Sequence, residues 1–279
     1  GTMPFTWVFA DWSLFREDIR SAIATLPHLV VQYLEVLVQQ SVDQSSERLA
    51  TVTPSDFLAL PPTISQADLD RIVISSGRNA SQIEDIYSMT PLQQGMLFHT
   101  LMEPHSEQYV TQLKWTLDTR TLDHARFEAA WRYVLERHPI FRTQFSWDVS
   151  EKPLQIVVSP DAINLEWTTA QVENRAQLLE LLQQDRLRGF DLKRASLMRF
   201  SWITVRGAAH QVEFVWAHHH MYLDGWSVAI VLNDVLNFYH HKANNLPAPA
   251  HFREFVAWMD QQSPSEAEAY WRGRLAGIT

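Results

Sequence analysis

A pair of adjacent histidines followed by Asp-Gly separates two segments of different periodicity. The residues before it, 212–218, alternate in the manner of a half-buried β-strand. After it, apolar residues recur at helical spacing from Val228 to Tyr239, as on one face of a helix. The segment His219-His220-Met221-Tyr222-Leu223-Asp224-Gly225 therefore connects a strand to a helix, and we expect Ser227 to be the N-cap of that helix. Such a turn joins a rigid base to a solvent-accessible loop, which suits reactive side chains.

The alternation of a strand indicates which way each histidine points. His218 and His220 fall on one face of the strand, whereas His219 falls on the other. One histidine of the pair can then reach a cleft while its neighbour packs in the fold, and Asp224 can fold back to orient an imidazole or pair with an arginine. Three interpretations stay open: buried structural histidines, a zinc site that includes Asp224, and a catalytic imidazole. The opposite directions of neighbouring side chains disfavour the zinc site, so we predict no metal.

Composition excludes several classes of function. With 279 residues, of which 46% are hydrophobic and 20% charged, the chain can bury a sizeable core in one or two domains. The 23 basic and 32 acidic residues give a net charge of −9, which disfavours binding to nucleic acid. We see neither an apolar run long enough for a membrane span nor a leader, and the absence of cysteine excludes disulfides and thiolate ligands. These features favour a cytoplasmic protein without membrane or nucleic-acid partners.

Changes in pattern divide the chain into three zones. Residues 1–41 predict a short strand and an amphipathic helix, which are too few elements to form a core of their own. Residues 42–82 are rich in Ser, Pro, Asp and Thr, and we interpret them as an interdomain linker with a short capped helix after Ser65. Residues 83–279 alternate predicted helices and strands, which indicates an α/β architecture.

The third zone contains the elements whose bounds are best marked. We predict strands over 109–117, 197–205 and 211–217, with the last two joined as a hairpin. We predict helices that open at Pro91, that end before Pro139, and that cover residues 227–242, 252–260 and 265–275.

Four blocks, in order along the third zone, resemble the condensation domains of nonribosomal peptide synthetases. These blocks are residues 83–87 with 90–99, residues 137–143, residues 190–192 with 195–199, and the His-His-x-x-x-Asp-Gly segment at 219–225. The resemblance is to the N-terminal lobe of the domain, which is related to chloramphenicol acetyltransferase. It implies an α/β lobe with a mixed β-sheet and flanking helices, and it implies that the second, C-terminal lobe is absent from this chain.

The same resemblance implies a reaction and its partners. The amine of an aminoacyl group attacks the thioester of a peptidyl group, so that an amide bond forms. The donor and acceptor groups are each held on the phosphopantetheine arm of a peptidyl carrier protein. The chain therefore binds no cofactor by itself, and without the second lobe we expect it to be inactive alone.

The resemblance also implies roles for five residues. His220 is the expected catalytic residue, either as a general base or as the group that positions the amine and stabilises the tetrahedral intermediate. His219, Asp224, Gly225 and Arg142 are expected to be structural. Asp224 would form a charge-assisted pair with Arg142, and Gly225 would allow a tight turn and a close backbone approach.

The first zone resembles the C-terminal tail of an epimerization or condensation domain. If the upstream domain is an epimerization domain, the donor should end in a D-residue, and the form of the segment 95–99 favours the same donor. The alternatives are an epimerization domain of the same superfamily, which moves an α-proton, and a free-standing acyltransferase that uses coenzyme A. A lobe that docks carriers without catalysis is the alternative outside enzymes.

Overall fold

The computed structural model describes residues 52–103 and 107–277 of the chain. The predicted upstream tail, residues 1–41, and the start of the predicted linker lie outside these described residues. Within the described ranges, no helix is long and apolar enough to cross a membrane.

The strands of the described residues form two separate sheets. They are β1 (Ile83–Ser88), β2 (Val110–Asp118), β3 (Thr143–Ser146), β4 (Leu154–Val158), β5 (Glu166–Val172), β6 (Met198–Val205) and β7 (Gln211–His219). The small sheet is antiparallel with the order β1-β4-β3. The large sheet has the order β2-β7-β6-β5, in which β5 and β6 run parallel and the other pairs antiparallel. The predicted hairpin of β6 and β7 is confirmed.

The described residues form seven α-helices, of which Arg175–Arg188 was not predicted and the others agree with the sequence pattern to within a few residues. They are α1 (Gln66–Ser76), α2 (Pro91–Met102), α3 (His124–Arg137), α4 (Arg175–Arg188), α5 (Gly225–Tyr239), α6 (Phe252–Asp260) and α7 (Pro264–Leu275). Helix α2 begins at Pro91 as predicted, because a residue without an N–H loses nothing in the first turn of a helix. The predicted N-cap of α5 is wrong: the helix begins at Gly225 with Asp224 as its N-cap, rather than at Ser227.

The described part of the predicted linker contains α1, which packs against the small sheet. Ser65 and Asp68 form a capping box at its start, and Gly77, with a φ of 69°, ends it. Its apolar side chains Leu69, Ile72 and Val73 are buried. This segment is therefore an ordered helix with a buried face. The boundary at residue 83 stays a prediction.

The main core lies between the large sheet and helices α3 and α5. At its centre the ring of Trp131 lies 4.7 Å from Phe200, 4.8 Å from Trp216 and 5.8 Å from Phe214, measured between ring centroids. The opposite face of the same sheet packs against α4. Because both faces are covered, the strands at the centre of the large sheet are rich in apolar residues throughout.

The central position of Trp131 gives a test of the fold. We expect Trp131→Ala to lower the free energy of unfolding by about 3–5 kcal/mol, because it removes a fully buried aromatic side chain and leaves a cavity. Trp226, which is 85% exposed, is the matched control, and Trp226→Ala should change that free energy by less than about 0.5 kcal/mol. Urea denaturation followed by circular dichroism measures both. Equal effects of the two substitutions would contradict the described core.

Candidate active site at the end of strand β7

The histidine pair lies where β7 leaves the large sheet. The N–H of His219 donates to the carbonyl of Leu197 over 3.0 Å, and the N–H of His220 donates to the carbonyl of Tyr109 over 2.7 Å. Main-chain pairing therefore extends one residue beyond the end of β7, to His220 at the start of the turn. Tyr109 has a φ of 64°, in the left-handed region that residues other than glycine rarely adopt. Strained backbone of this kind concentrates at functional sites.

Of three consecutive histidines, two are buried and one is accessible. His218 is 1% exposed with its ring 4.7 Å from that of Trp216, and His219 is 2% exposed with its ring 5.9 Å from that of Tyr109. Burial lowers the pKa of both buried imidazoles to about 4, with a smaller contribution from the charge of neighbouring histidines, so both are neutral near pH 7. His220 is only half-buried. One member of the pair thus packs in the fold while its neighbour is accessible.

Hydrogen bonds assign opposite tautomers to the two adjacent imidazoles. The Nδ1 atom of His219 accepts the N–H of Met221 over 3.2 Å, so its ring proton is on Nε2. The Nδ1 atom of His220 lies 2.5 Å from the carbonyl oxygen of Leu223, which can only accept, so its ring proton is on Nδ1. None of the described residues hydrogen-bonds to Nε2 of His220. In the neutral form of this ring, Nε2 therefore carries a lone pair to which no described residue is hydrogen-bonded.

Asp224 fixes the start of α5. Its Oδ1 atom accepts the N–H of Ser227 over 2.8 Å and the hydroxyl of Ser227 over 2.7 Å, and these bonds lower the pKa of the carboxyl. Ser227 is thus the residue whose N–H the cap satisfies. Gly225 has no left-handed φ, and no described atom lies within 4 Å of the place where its Cβ would be. The conformational reason predicted for a glycine at 225 is therefore wrong in this structure.

The predicted pair of Asp224 and Arg142 is also wrong. Arg142 is buried beside the small sheet, where its Nη1 atom lies 2.5 Å from a carboxylate oxygen of Glu84 and donates to the carbonyl of Val158. The side chain thereby joins β1 to the end of β4. Asp224 is exposed and uses its carboxylate for the helix cap instead. The two side chains therefore bond to different elements, Arg142 to β1 and β4 and Asp224 to α5.

A second charged cluster fastens α3 to α5. The buried carboxylate of Asp234 accepts from Nε of Arg137 over 2.8 Å, and the Nε2 atom of His138 lies 2.8 Å from the same oxygen. Arg137 also donates to the carbonyl of Pro247. Beside this cluster and next to Leu223 lies a largely apolar cavity of about 550 Å³. A cavity of this size is ample for an apolar side chain.

The loop from His220 to Asp224 depends on two residues to which the sequence pattern gave no role. The buried hydroxyl of Tyr222 donates to the carbonyl of Thr143 and accepts the N–H of Leu197 over 3.0 Å. Gln93, at the start of α2, contacts the carbonyl of Met221. No periodicity or spacing in the sequence marks either contact, because each joins segments that are far apart in the chain. In the part of the chain that the structure describes, no three potential ligand side chains converge as in a metal site.

The opposite tautomers are testable by NMR. We expect long-range ¹H–¹⁵N correlations of the ring nitrogens at about pH 8.5, where imidazole is generally neutral, to show His220 protonated on Nδ1 and His219 protonated on Nε2. His219→Gln and His220→Gln variants would assign the signals. A proton on Nε2 of neutral His220 would contradict the bond to Leu223.

The buried histidines also make stability depend on pH. Since their pKa values fall from 6.5 in the unfolded chain to about 4 in the folded one, the unfolded state binds more protons in this window. Above pH 6.5, His218 and His219 should therefore not lower the free energy of unfolding. As the pH drops from 6.5 towards 4, this free energy should fall. The slope should reach about 1.4 kcal/mol per pH unit for each histidine.

Urea denaturation at a series of pH values measures this slope. His218→Phe should reduce the slope of the free energy of unfolding against pH by the contribution of one histidine. The variant keeps an aromatic ring at this position but has no titratable group there. An unchanged slope in this variant would contradict the assignment of His218 as a neutral buried residue.

Comparisons with known proteins identify the family of most of the chain. The family model described as Condensation domain matches residues 83–279. A linear gramicidin synthase of Brevibacillus parabrevis is 41% identical over 277 residues, which cover 96% of this chain and 5% of that protein. Bacitracin synthase 3 of Bacillus licheniformis is 30% identical over 267 residues, which cover 92% of this chain and 4% of that protein.

A solved structure has the same fold. The starter condensation domain of the rhizomide synthetase RzmA is 18% identical with a TM-score of 0.56, and the match covers 70% of this chain and 50% of that one. This likeness confirms the predicted α/β lobe related to chloramphenicol acetyltransferase. The match spans about half of the solved domain, and the chain is a small part of the curated relatives. With the family model matching most of its length, the chain belongs to the condensation-domain family.

Proposed function

We propose that this chain is the N-terminal lobe of a condensation domain of a nonribosomal peptide synthetase, and that His220 is its catalytic residue. The observation that carries the proposal is the state of the His220 imidazole. Its Nδ1 atom is held by the carbonyl of Leu223, while Nε2 is left with a lone pair on the accessible side of the histidine cluster. In its neutral form, an imidazole fixed in this way suits proton transfer or the binding of an amine.

The proposed reaction joins two carrier-bound groups. The nitrogen of an aminoacyl group attacks the thioester carbon of a peptidyl group, so that a C–N bond forms and the C–S bond breaks. The amine gives up one proton, which Nε2 of His220 accepts and returns to the departing sulfur. If the proton moves by another route, the same lone pair can still hold the amine in line with the carbonyl.

The carrier proteins supply the phosphopantetheine arms in this proposal. The apolar cavity beside Leu223 is large enough to take an apolar side chain of one carrier-bound substrate. Residues 1–41 are then the tail of an upstream epimerization or condensation domain, and residues 42–82 are the linker between the domains. Since the solved condensation domain is about twice as long as the part matched, we expect transfer to require a second lobe.

The test is a transfer assay with the lobe joined to a second condensation-domain lobe. One carrier bears a peptidyl thioester, another bears an aminoacyl thioester, and mass spectrometry detects the product. We expect His220→Ala to lower the rate of amide formation by about a hundredfold or more, because it removes the proton acceptor. His240→Ala, which changes an exposed histidine at the end of α5, should leave the rate unchanged.

The outcomes separate the alternatives. Deuterium uptake at the α-carbon of a carrier-bound residue, lost in His220→Ala and without amide product, would identify an epimerization domain. Transfer from soluble coenzyme A thioesters would identify a free-standing acyltransferase. Carrier binding that persists in His220→Ala, with no product from the wild-type protein, would identify a docking lobe and overturn the catalytic role.

A further inference from the structure

We propose that Gln93 is a positioning residue for His220, which acts through the main chain of the loop that follows it. The inference rests on the proposed catalytic role of His220. Gln93 lies at the first turn of α2, and its side chain is 4% exposed. Its amide contacts both the small sheet and the loop from His220 to Asp224, which we call the histidine loop. Gln93 can therefore set the position of this loop relative to the small sheet.

The amide of Gln93 uses both of its ends. Its Oε1 atom accepts the N–H of Thr90 over 3.0 Å and the hydroxyl of Thr90 over 3.1 Å. Its Nε2 atom donates to Oε1 of Gln155 over 3.0 Å and, over a longer 3.4 Å, to the carbonyl oxygen of Met221. Gln155 is fully buried and donates in turn to the carbonyl of Ser88 over 3.0 Å. The polar groups of both glutamines are therefore matched.

Main-chain groups at both ends fix the direction of this chain of hydrogen bonds. The N–H of Thr90 can only donate, so the atom of Gln93 that faces it must be the oxygen. The carbonyl of Ser88 can only accept, so the nitrogen of Gln155 must face it and the oxygen must face Gln93. The nitrogen of Gln93 is thus directed towards the Met221 carbonyl by partners that cannot be reversed.

The Met221 carbonyl belongs to the part of the loop whose hydrogen bonds orient the imidazole of His220. A main-chain bond to Tyr109 holds His220 on one side, and the bond from its Nδ1 atom to Leu223 holds it on the other. Met221 directly follows His220 and, with Tyr222, separates it from Leu223. Loss of the donor from Gln93 leaves a buried carbonyl without its partner, so the loop will shift to find another and carry the Leu223 carbonyl away from Nδ1.

A substitution that keeps the cap but removes the donor tests this role. Gln93→Glu can still accept from Thr90, but it presents a second oxygen to Gln155 and Met221 in place of N–H. Gln94→Glu is the matched control. It places the same charge in the same turn of α2, and it removes a comparable 3.0 Å bond to a main-chain carbonyl, that of Met89, which is not part of the histidine loop.

Two readouts are needed. In the chain alone, NMR should show that Gln93→Glu reduces the Nδ1-protonated form of neutral His220, whereas Gln94→Glu leaves it as in the wild type. In the two-lobe transfer assay, Gln93→Glu should lower kcat about tenfold to a hundredfold, because the imidazole is misplaced, with little change in KM for the carriers. Gln94→Glu should leave kcat unchanged.

The two proposals fail separately. Absence of transfer by the wild-type protein would overturn the proposed function, but the NMR readout would still decide the role of Gln93. Wild-type tautomer and kcat in Gln93→Glu, or equal effects of Gln94→Glu, would overturn the positioning role. If Gln93→Glu does not fold, the uncharged Gln93→Met takes its place. Failure of both variants to fold would show that Gln93 supports the whole lobe rather than the loop.

Discussion

The histidine loop keeps its shape because the buried hydroxyl of Tyr222 ties the two sheets together. It donates to Thr143 in the small sheet and accepts from Leu197, which directly precedes β6 of the large one. Burial raises the pKa of this phenol, so it remains a donor throughout the physiological range. The loop that follows His220 is therefore closed against both sheets, and its local main-chain geometry is imposed by packing that lies far from it in sequence.

Within this frame, neighbouring histidines have different tasks. His219 is buried and uses Nδ1 to accept a main-chain N–H, which stabilises the turn. His220 uses Nδ1 as a donor and leaves Nε2 to the substrate side. The two tasks differ because the two side chains differ in solvation. His219 is desolvated and packs in the fold, whereas His220 keeps access to water because the strand has ended.

Much of the fold could be predicted from periodicity, but less of the site could. The alternation before His218 predicted β7, and the bounds of α6 agree because its apolar spacing is undisturbed. Asp224 and Ser227 are both good cap residues, and the sequence could not rank them. The pair of Arg142 with Asp224 failed because the choice of Glu84 depends on how β1 lies beside β4. Gln93 could not be assigned because its partners lie 62 and 128 residues away.

The positions of the loop's hydrogen-bond partners along the chain have a consequence for folding during synthesis. Among the described residues, the distant hydrogen-bond partners of the segment 220–223 precede it in the chain: Gln93, Tyr109, Thr143 and Leu197 are all made before His220. Closing such long loops carries an entropic cost that grows slowly with length, and folding during translation proceeds from the N-terminal side. The residues that hold the loop from a distance are thus translated before it, whereas Ser227, which bonds to Asp224 at the end of the loop, is translated after it.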